Sequence, residues 1–124
     1  MKGEPIEINH YYDIDADALF IHKVDDYGYD ESVELTNDII MDFDIDGNAV
    51  ALEILNVSKV LKVPKFSLKK IDSIHMAIGV DDKLISLKFC IGIFIHQKEL
   101  TKSIIKSAIN DFNLPPNKTE LLTA

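Results

Sequence analysis

Two clusters of aspartate residues have the spacing that most suggests chemistry in this chain of 124 residues. The second cluster, Asp42-x-Asp44-x-Asp46-Gly47, is followed after five further residues by Glu53. This arrangement fits the calcium-loop pattern D-x-D-x-D-G-x5-E at every position. In a true calcium loop the side-chain oxygens of these acidic positions converge on the ion at about 2.3–2.6 Å, and the loop lies between two helices. The candidate chemistry is therefore the binding of a hard cation by carboxylates.

The elements on either side of this motif favour a different structure. Apolar side chains recur at every second position before and after it, at Ile39, Met41, Phe43, Val50, Leu52 and Ile54. A period of two is typical of strands, whereas a calcium loop needs flanking helices. We therefore predict a β-hairpin whose turn contains Asp44, Asp46 and Gly47, because glycine adopts a positive φ without strain.

The first cluster keeps a cation hypothesis open. Asp13, Asp15 and Asp17 form a second acidic turn, and two such turns at one end of a sheet could share Ca²⁺ or Mg²⁺. Turn aspartates also have a local use, because their carboxylates accept hydrogen bonds from nearby backbone N–H groups. We favour the local use and predict no metal and no cofactor. The metal candidates, if there are any, are Asp13, Asp15, Asp17, Asp42, Asp44 and Asp46.

The other residues capable of catalysis lack partners in the sequence. His10, His22, His75 and His96 include no pair at the i, i+4 spacing of a helical metal site, and the first two fall on opposite faces of a predicted hairpin. Cys90 has apolar neighbours, which favour a buried thiol over a reactive thiolate. The five glycines stand apart and form no phosphate-binding loop. We therefore expect no catalytic residue and no enzymatic activity.

Period-two patterns predict strands along most of the first 95 residues. They form three hairpin-like segments, over residues 5–24, 39–54 and 74–95. Asn56 is a suitable N-cap for one helical turn at 57–61, which Pro64 ends. The last strand is apolar on both faces over residues 89–95, so it needs a covering element, either a helix or a second subunit.

An amphipathic helix near residues 98–112 is the predicted cover. Its apolar positions recur at three- and four-residue spacing, at Leu100, Ile104, Ala108, Ile109 and Phe112. Three lysines, at 98, 102 and 106, fall on the far face, Pro115 and Pro116 end the helix, and the tail beyond is expected to fray. The predicted fold class is α+β: mostly antiparallel hairpins, a short helical turn near 57–61 and this C-terminal helix.

The composition excludes some partners. The net charge of −8 and the isoelectric point near 4.8 argue against nucleic acid, whose phosphates need clustered Lys and Arg. The longest apolar run, residues 89–95, is far shorter than the ~20 residues of a membrane span. A single cysteine and a start without an apolar signal segment predict a cytoplasmic protein.

The first half of the chain resembles the family known as domain of unknown function 2283. The resemblance is carried over residues 6–62 by Tyr12-Asp13-x-x-x-Asp17-x-Leu19-Phe20-Ile21, by Ile40-Met41-Asp42-Phe43-Asp44-x-Asp46-Gly47, by Val50-x-x-Glu53-Ile54-Leu55 and by Val57-Ser58-Lys59. It implies a small β-rich module at 1–62 without assigned catalytic residues. Residues 63–124 would add a hairpin and a helix, packed with the module as one domain.

Three functional hypotheses follow, none of them catalytic. The first is a protein–protein interaction module that self-associates, with a dimer favoured, because the doubly apolar strand needs a cover. The second is an antitoxin-like partner, since the resemblance implies that some family members are encoded beside ribonuclease-like toxins, and an acidic surface suits a basic enzyme. The third is a module that binds a divalent cation through its Asp-rich turns.

Overall fold

A computed structural model describes residues 5–28 and 30–123, which contain nine strands in one sheet. The strands are β1 Ile6–Asp13, β2 Ala18–Lys23, β3 Glu31–Thr36, β4 Ile39–Phe43, β5 Ala49–Leu55, β6 Ile71–Val80, β7 Leu84–Ile95, β8 Lys98–Ile109 and β9 Asn117–Leu122. Their order across the sheet is β3-β4-β5-β2-β1-β9-β6-β7-β8. All pairs are antiparallel except β1 with β9.

The sheet curls until its two outer strands, β3 and β8, lie close to each other without pairing, so it forms a nearly closed, barrel-like sheet. One face of every strand points inward, because side chains alternate between the two faces. The largest fully buried side chains lie on this face: Phe43, Phe89, Leu19, Ile21, Ile39, Met41, Ile54, Ile74, Met76, Ile85 and Leu87. They belong to a single core.

The three hairpins predicted from the alternating pattern are confirmed. The first pairs β1 with β2 from Ile8↔Lys23 to Asp13↔Ala18, and the second pairs β4 with β5 around the Asp-rich turn. The third pairs β6 with β7 around residues 81–83. Residues 31–36 form a further strand, β3, between the first two hairpins. The apolar alternation is therefore sufficient to place these strands and their buried faces.

The predicted C-terminal helix near 98–112 is wrong, and with it the α+β fold class. Residues 98–109 form the strand β8, which pairs with β7 along its whole length, from Ile95↔Lys98 to Leu84↔Ile109. Leu100, Ile104 and Ala108 are four residues apart, a spacing that keeps side chains on one face of a strand as well as of a helix. The described chain is nearly all β, with only two short helical turns.

The prediction of a frayed tail after Pro116 is wrong, because this segment forms the central strand β9. It lies between β1 and β6 and pairs antiparallel with β6 from His75↔Leu122 to Val80↔Asn117. Thr119 and Leu121 are buried on its inward face. A strand of six residues after two prolines carries too short a pattern to be recognised without its neighbours.

Two short helical elements follow β5. The helix α1, Val57–Leu61, agrees with the predicted helical turn, and a 3-10 helix, Lys65–Lys69, follows it. Their apolar residues Val57, Leu61 and Leu68 join the core. We use two names for the ends of the barrel-like sheet. The helix end is the end at which β5 finishes and α1 begins. The turn end is the opposite end, at which β5 begins.

Candidate functional site

The two Asp-rich turns lie at opposite ends of the sheet. Ala18, at the start of β2, pairs with Leu55, at the end of β5, so the turn at residues 14–17 lies at the helix end. The turn at residues 44–48 immediately precedes β5 and lies at the turn end. The hypothesis that both turns share one cation is therefore wrong, because it required them at the same edge.

The carboxylates of the second turn are used locally. Oδ1 of Asp44 accepts hydrogen bonds from the backbone N–H groups of Asp46 at 3.0 Å and Asn48 at 2.9 Å, and Oδ2 accepts one from Asn48 Nδ2 at 3.1 Å. Asp42 lies on the outer face of β4, where its Oδ1 accepts a hydrogen bond of 2.6 Å from Ser32 Oγ. The calcium-loop pattern therefore belongs to a hairpin turn, as predicted.

The first turn has the same local chemistry. Oδ1 of Asp13 accepts hydrogen bonds from the backbone N–H groups of Asp15 at 3.1 Å and Ala16 at 3.2 Å. Asp15 is exposed, as is Asp46 in the second turn. Within residues 5–28 and 30–123, no group of three or more His, Cys, Asp or Glu side chains is placed to hold a metal ion.

Asp17 differs from the other turn aspartates because it is buried, with 5% of its surface exposed. Its Oδ1 accepts a hydrogen bond of 2.7 Å from the Tyr12 hydroxyl and one of 3.2 Å from the Ser58 N–H. Its Oδ2 accepts a bond of 2.7 Å from Ser58 Oγ. Asp17 therefore supplies the cap at the start of α1, whereas Asn56, in the left-handed region, makes no capping bond.

The ionisation of this network fits a structural role. Burial alone raises the pKa of Asp17, but hydrogen bonds from Ser58 and Tyr12 outweigh it and hold the pKa below its usual 3.8. Burial and the Asp17 carboxylate raise the pKa of Tyr12. The Ser58 hydroxyl donates a hydrogen bond to a carboxylate that also accepts hydrogen bonds from Tyr12 and from the Ser58 N–H. The hydroxyl is therefore not activated as a nucleophile.

The histidines and the cysteine do not converge on a site. His10 pairs with Ile21 and His22 with Asn9, so the two histidines point to opposite faces, as predicted. Burial lowers the pKa of His10. Cys90 lies half-buried on the outer face of β7, with its Sγ 3.3 Å from Ser103 Oγ. The expectation of a buried thiol is wrong, because the core-facing positions of β7 have the opposite parity.

Charge is distributed unequally along the chain. Residues 1–62 contain 15 acidic and 4 basic residues, whereas residues 63–124 contain 6 acidic and 9 basic residues. The first segment forms the adjacent strands β3-β4-β5-β2-β1 and the second forms β9-β6-β7-β8. One side of the molecule is therefore strongly acidic and the other is mildly basic.

The outer face of the β7–β8 hairpin exposes large apolar side chains. Ile105 is 72% exposed and Ile109 is 66% exposed, and Leu84, the cross-strand partner of Ile109, is 42% exposed. The sequence pattern assigned Ile109 to the buried face of a helix, so this patch was missed. The signal was present, because Ile105 and Ile109 have the opposite parity to Ile104 and Ala108.

A depression of about 270 Å³ lies beside Ile105 on the same outer face. Its lining includes the small residues Ala77 and Gly79 of β6 and Ser86 of β7. Small side chains between larger ones leave a shallow hollow in the surface of a sheet. Ile105 therefore protrudes beside a shallow hollow on the same face.

A second hollow, of about 350 Å³, lies on the acidic side of the molecule. It is formed on the outer face of β2, β5 and β4, below Tyr27 of the loop that follows β2. Its lining combines the aromatic or heteroaromatic residues Phe20, Tyr27 and His22 with the carboxylates Asp42 and Glu53. We call it the acidic groove.

Comparisons with known proteins agree with the resemblance seen in the sequence. A profile of the family described as protein of unknown function (DUF2283) matches residues 10–58, which contain the Tyr12–Asp17–Ser58 network. The uncharacterized protein MJ0789 of Methanocaldococcus jannaschii is 32% identical over 104 residues, covering 83% of this chain and 88% of that protein.

A second relative carries a functional name. A protein of Methanosarcina mazei named putative hypoxanthine phosphoribosyltransferase is 27% identical over 115 residues, covering 93% of this chain and 92% of that protein. No solved structure matches the chain. Among the described residues, no helix has the length and apolar character required to cross a membrane.

Proposed function

We propose that this chain, which belongs to the family of proteins of unknown function DUF2283, is a non-catalytic interaction module that associates with a second copy of itself. The observation that carries the proposal is the exposure of Ile105 and Ile109 on the outer face of the sheet. Large apolar side chains that lie together on a surface mark interaction sites. The isolated, exposed Ile45 in the opposite half does not form such a patch.

The geometry of the face supports a two-fold symmetric dimer. Ile105 lies next to the depression lined by Ala77, Gly79 and Ser86, on the same face. In a two-fold interface each surface feature meets its counterpart, so Ile105 of one copy can enter the depression of the other, and the reverse. Burial of both isoleucines would remove apolar surface from water at two symmetric positions.

The free edge of β8 supports association through the face rather than through strand pairing. Lys102 and Lys106 occupy positions of β8 whose side chains point inward, and β8 is an edge strand at which the sheet is not closed. Inward-pointing charges on an edge strand hinder the addition of a further strand, because pairing would bury them. A continuous sheet across two copies through β8 is therefore disfavoured.

Sedimentation equilibrium of the wild type and two matched variants tests the proposal. Ile105→Lys places a charge at the centre of the face, and Ile45→Lys makes the same change at a residue that is 75% exposed on the turn after β4. We expect a concentration-dependent dimer for the wild type and Ile45→Lys. For Ile105→Lys we expect at least roughly tenfold weaker dimerisation.

The outcome is decided by the comparison of these variants. A wild type that stays monomeric at high micromolar concentration contradicts self-association. Equal weakening by Ile105→Lys and Ile45→Lys would show that added charge alone opposes association, and would remove the role of this face. Circular dichroism of each variant confirms that neither change unfolds the protein.

An antitoxin-like role is the second candidate, favoured by the unequal charge. The acidic half of the chain, with 15 acidic and 4 basic residues, suits a basic protein partner, such as a ribonuclease whose RNA-binding surface it would cover. The test is co-expression with the product of the neighbouring gene. Inhibition of a ribonuclease activity supports this role if salt relieves the inhibition. A neighbouring gene product without ribonuclease activity contradicts it.

The name of the Methanosarcina mazei relative makes phosphoribosyl transfer the enzymatic alternative. Phosphate groups are usually bound by glycine-rich loops at helix N-termini or by clustered basic residues. The longest α-helix among the described residues has five residues, and the groove of about 350 Å³ on β2, β5 and β4 is acidic. We therefore expect no turnover of hypoxanthine with a phosphoribosyl donor, and a measurable rate would contradict the non-catalytic assignment.

A further inference from the structure

The acidic groove is built by the outer-face residues of three neighbouring strands. Across the sheet, Glu53 lies between Phe20 of β2 and Ile40 of β4. In the next row, Ala51 lies between His22 and Asp42. Cross-strand neighbours of this kind have Cβ atoms only about 5 Å apart. Ala51 is therefore a small floor surrounded by these five larger side chains.

The two carboxylates of the groove have little internal compensation. Asp42 accepts a hydrogen bond from Ser32 Oγ at 2.6 Å, and this donor carries no charge. Among the described residues, the structure shows no hydrogen bond or ion pair for Glu53. The two acids are diagonal neighbours on adjacent strands, so their negative potentials overlap above Ala51. Such a position favours a cation.

The remaining walls are aromatic. The rings of His22 and Tyr27 lie 6.4 Å apart, and Phe20 stacks on Tyr11 at 6.3 Å. The faces of Phe and Tyr rings attract organic cations and also pack against CH₂ groups. His22 Nδ1 lies 2.9 Å from the Lys23 carbonyl oxygen, so in the neutral ring Nδ1 donates and Nε2 remains an acceptor.

A second acidic hollow adjoins the groove. It shares His22 and Tyr27 with the groove and adds Asp25 and Asp26, with Lys23 and Val24 also in its lining. A ligand that extends from one hollow to the other would meet carboxylates at both ends and aromatic rings between them. This arrangement matches a chain with positive charges separated by methylene groups better than it matches a compact metal ion, which requires converging oxygens.

We propose that the acidic groove binds an aliphatic di- or polyamine. One ammonium group lies between Asp42 and Glu53, its alkyl chain crosses Ala51 beside Tyr27, and a second ammonium group reaches Asp25 and Asp26. The net charge of −11 on residues 1–62, from 15 acidic and 4 basic residues, supplies the long-range attraction. The groove and the proposed dimer interface lie on different strands of the outer face, in opposite halves of the sheet. The inference therefore does not depend on the dimer.

The test is a titration of ¹⁵N-labelled protein with spermidine at about 0.15 M salt, followed by amide chemical shifts. Saturable shifts are expected at Ala51, Glu53 and their neighbours in the groove. Glu53→Gln removes one charge at constant shape, and Ala51→Leu fills the floor at constant charge. Each is expected to weaken binding roughly tenfold. Asp15→Asn, at an exposed position of the turn at the helix end, is the control and should bind within about twofold of the wild type.

Three further probes separate the groove from a generally acidic surface. 1,4-Butanediol has an alkyl chain without charge and should not bind. Mg²⁺ has charge without an alkyl chain and should not reproduce the shifts of Ala51. A lysine-rich hexapeptide tests a protein as the occupant. Loss of the effect in Ala51→Leu together with normal Asp15→Asn binding supports the proposal.

Several results would overturn it. The absence of saturation with spermidine, equal weakening by Asp15→Asn and Glu53→Gln, or identical shifts with Mg²⁺ would reduce the effect to surface charge. Groove shifts caused by the hexapeptide but not by spermidine would assign the groove to a basic protein. A folded Ala51→Leu variant that binds spermidine normally would place the ligand elsewhere.

Discussion

Asp17 shows how one turn aspartate becomes part of the core while its neighbours stay at the surface. Its carboxylate connects Tyr12 of β1 with Ser58 of α1, and it caps the first turn of the helix. The spacing of the three residues in the sequence gives no indication of this contact, because Ser58 is 41 positions away. What the sequence does predict is the local bonding of Asp13 and Asp44, which depends only on residues two to four positions away.

Replacement of this carboxylate tests its structural role. Asp17→Asn retains an acceptor for one of the donors but loses the charge, and hydrogen bonds to charged groups contribute about 1.5–3 kcal/mol each. We expect the free energy of unfolding at neutral pH to fall by about 1–3 kcal/mol. Urea denaturation measures it. Asp15→Asn, at an exposed position of the same turn, is the control and should change stability by less than about 0.5 kcal/mol.

The stability difference between the wild type and Asp17→Asn should also depend on pH. The pKa of Asp17 in the folded protein lies below its usual value of 3.8. A depressed pKa means that its stabilising contribution is complete above pH 3.8 and is lost as the pH falls through the lower folded value. The stability difference between the wild type and Asp17→Asn should therefore shrink below pH 3.8. A difference that stays constant down to about pH 2 would contradict the ionised network.

Gly47 is required by both its backbone and its surroundings. Its φ is +82°, and a Cβ atom at this position would lie 2.8 Å from the carbonyl oxygen of Pro115 and 2.9 Å from Pro115 Cγ. Gly47→Ala should therefore lower the free energy of unfolding by about 1–3 kcal/mol. Gly28→Ala is the matched control, since a Cβ there meets nothing within 4 Å. Equal thermal stability of the two variants would contradict the docking of this turn against Pro115.

At the scale of elements, the sequence predicted strands correctly wherever apolar and polar residues alternate, and failed at β8. The apolar residues of this strand recur every fourth position, which a helix face and a strand face both allow. The turn before it was also hard to recognise. His96 and Gln97 have φ values of 52° and 65°, the conformation for which tight hairpins usually select Asn-Gly.

This turn gives a test of the hairpin against the helix. Replacing His96 with Asn and Gln97 with Gly should raise the free energy of unfolding by about 0.5–1 kcal/mol, because these residues adopt positive φ with less strain. Thr101→Ala is the complementary variant, at an exposed position that pairs with Gly92. It should destabilise a strand by up to about 1 kcal/mol but stabilise a helix. Stabilisation by Thr101→Ala would contradict the strand β8.

The candidate surfaces were only partly predictable for the same reason. The alternation of residues places Glu53 and Ala51 on the outer face of β5, and Asp42 on that of β4. It cannot place β2 next to β5, which brings His22 beside Ala51, because that pairing joins residues far apart in sequence. The sequence predicts a cover over β7, whereas the exposed residues that carry the proposal, Ile105 and Ile109, lie on β8.

At the scale of the whole molecule, the two halves of the chain form the two sides of one core. The family-like segment supplies β3-β4-β5-β2-β1 and the remainder supplies β9-β6-β7-β8. Among residues 5–28 and 30–123, the strands at their junction, β1 and β9, are aligned at two residue pairs, Ile6↔Leu121 and Glu7↔Leu122. Other bonds between the halves lie at the turn end, where Asn117 Nδ2 donates to Asn48 Oδ1 at 2.6 Å and the Ala49 N–H lies 3.4 Å from Thr119 Oγ1.

Because so few hydrogen bonds join the halves, their association must rest mainly on the shared core. Buried residues of both halves, such as Leu19 and Ile54 from the first and Phe89 and Leu121 from the second, belong to one cluster. A fragment of residues 1–62 would expose its half of this cluster to water, at a cost of about 25 cal/mol per Å² of apolar surface. We therefore expect this fragment to lack a cooperative thermal transition, although it contains the whole matched family segment.

Recombination of the two fragments is the decisive measurement. Residues 63–124 also carry a one-sided sheet, so each fragment alone should be poorly folded or aggregated, and an equimolar mixture should recover the β-sheet circular dichroism and a cooperative transition. Phe89→Ala in the second fragment removes a fully buried side chain from the shared core and should abolish recovery. Lys88→Ala, at the neighbouring exposed position, should not. A fragment of residues 1–62 that folds cooperatively by itself would show that the first half is an independent domain, to which the second half is only attached.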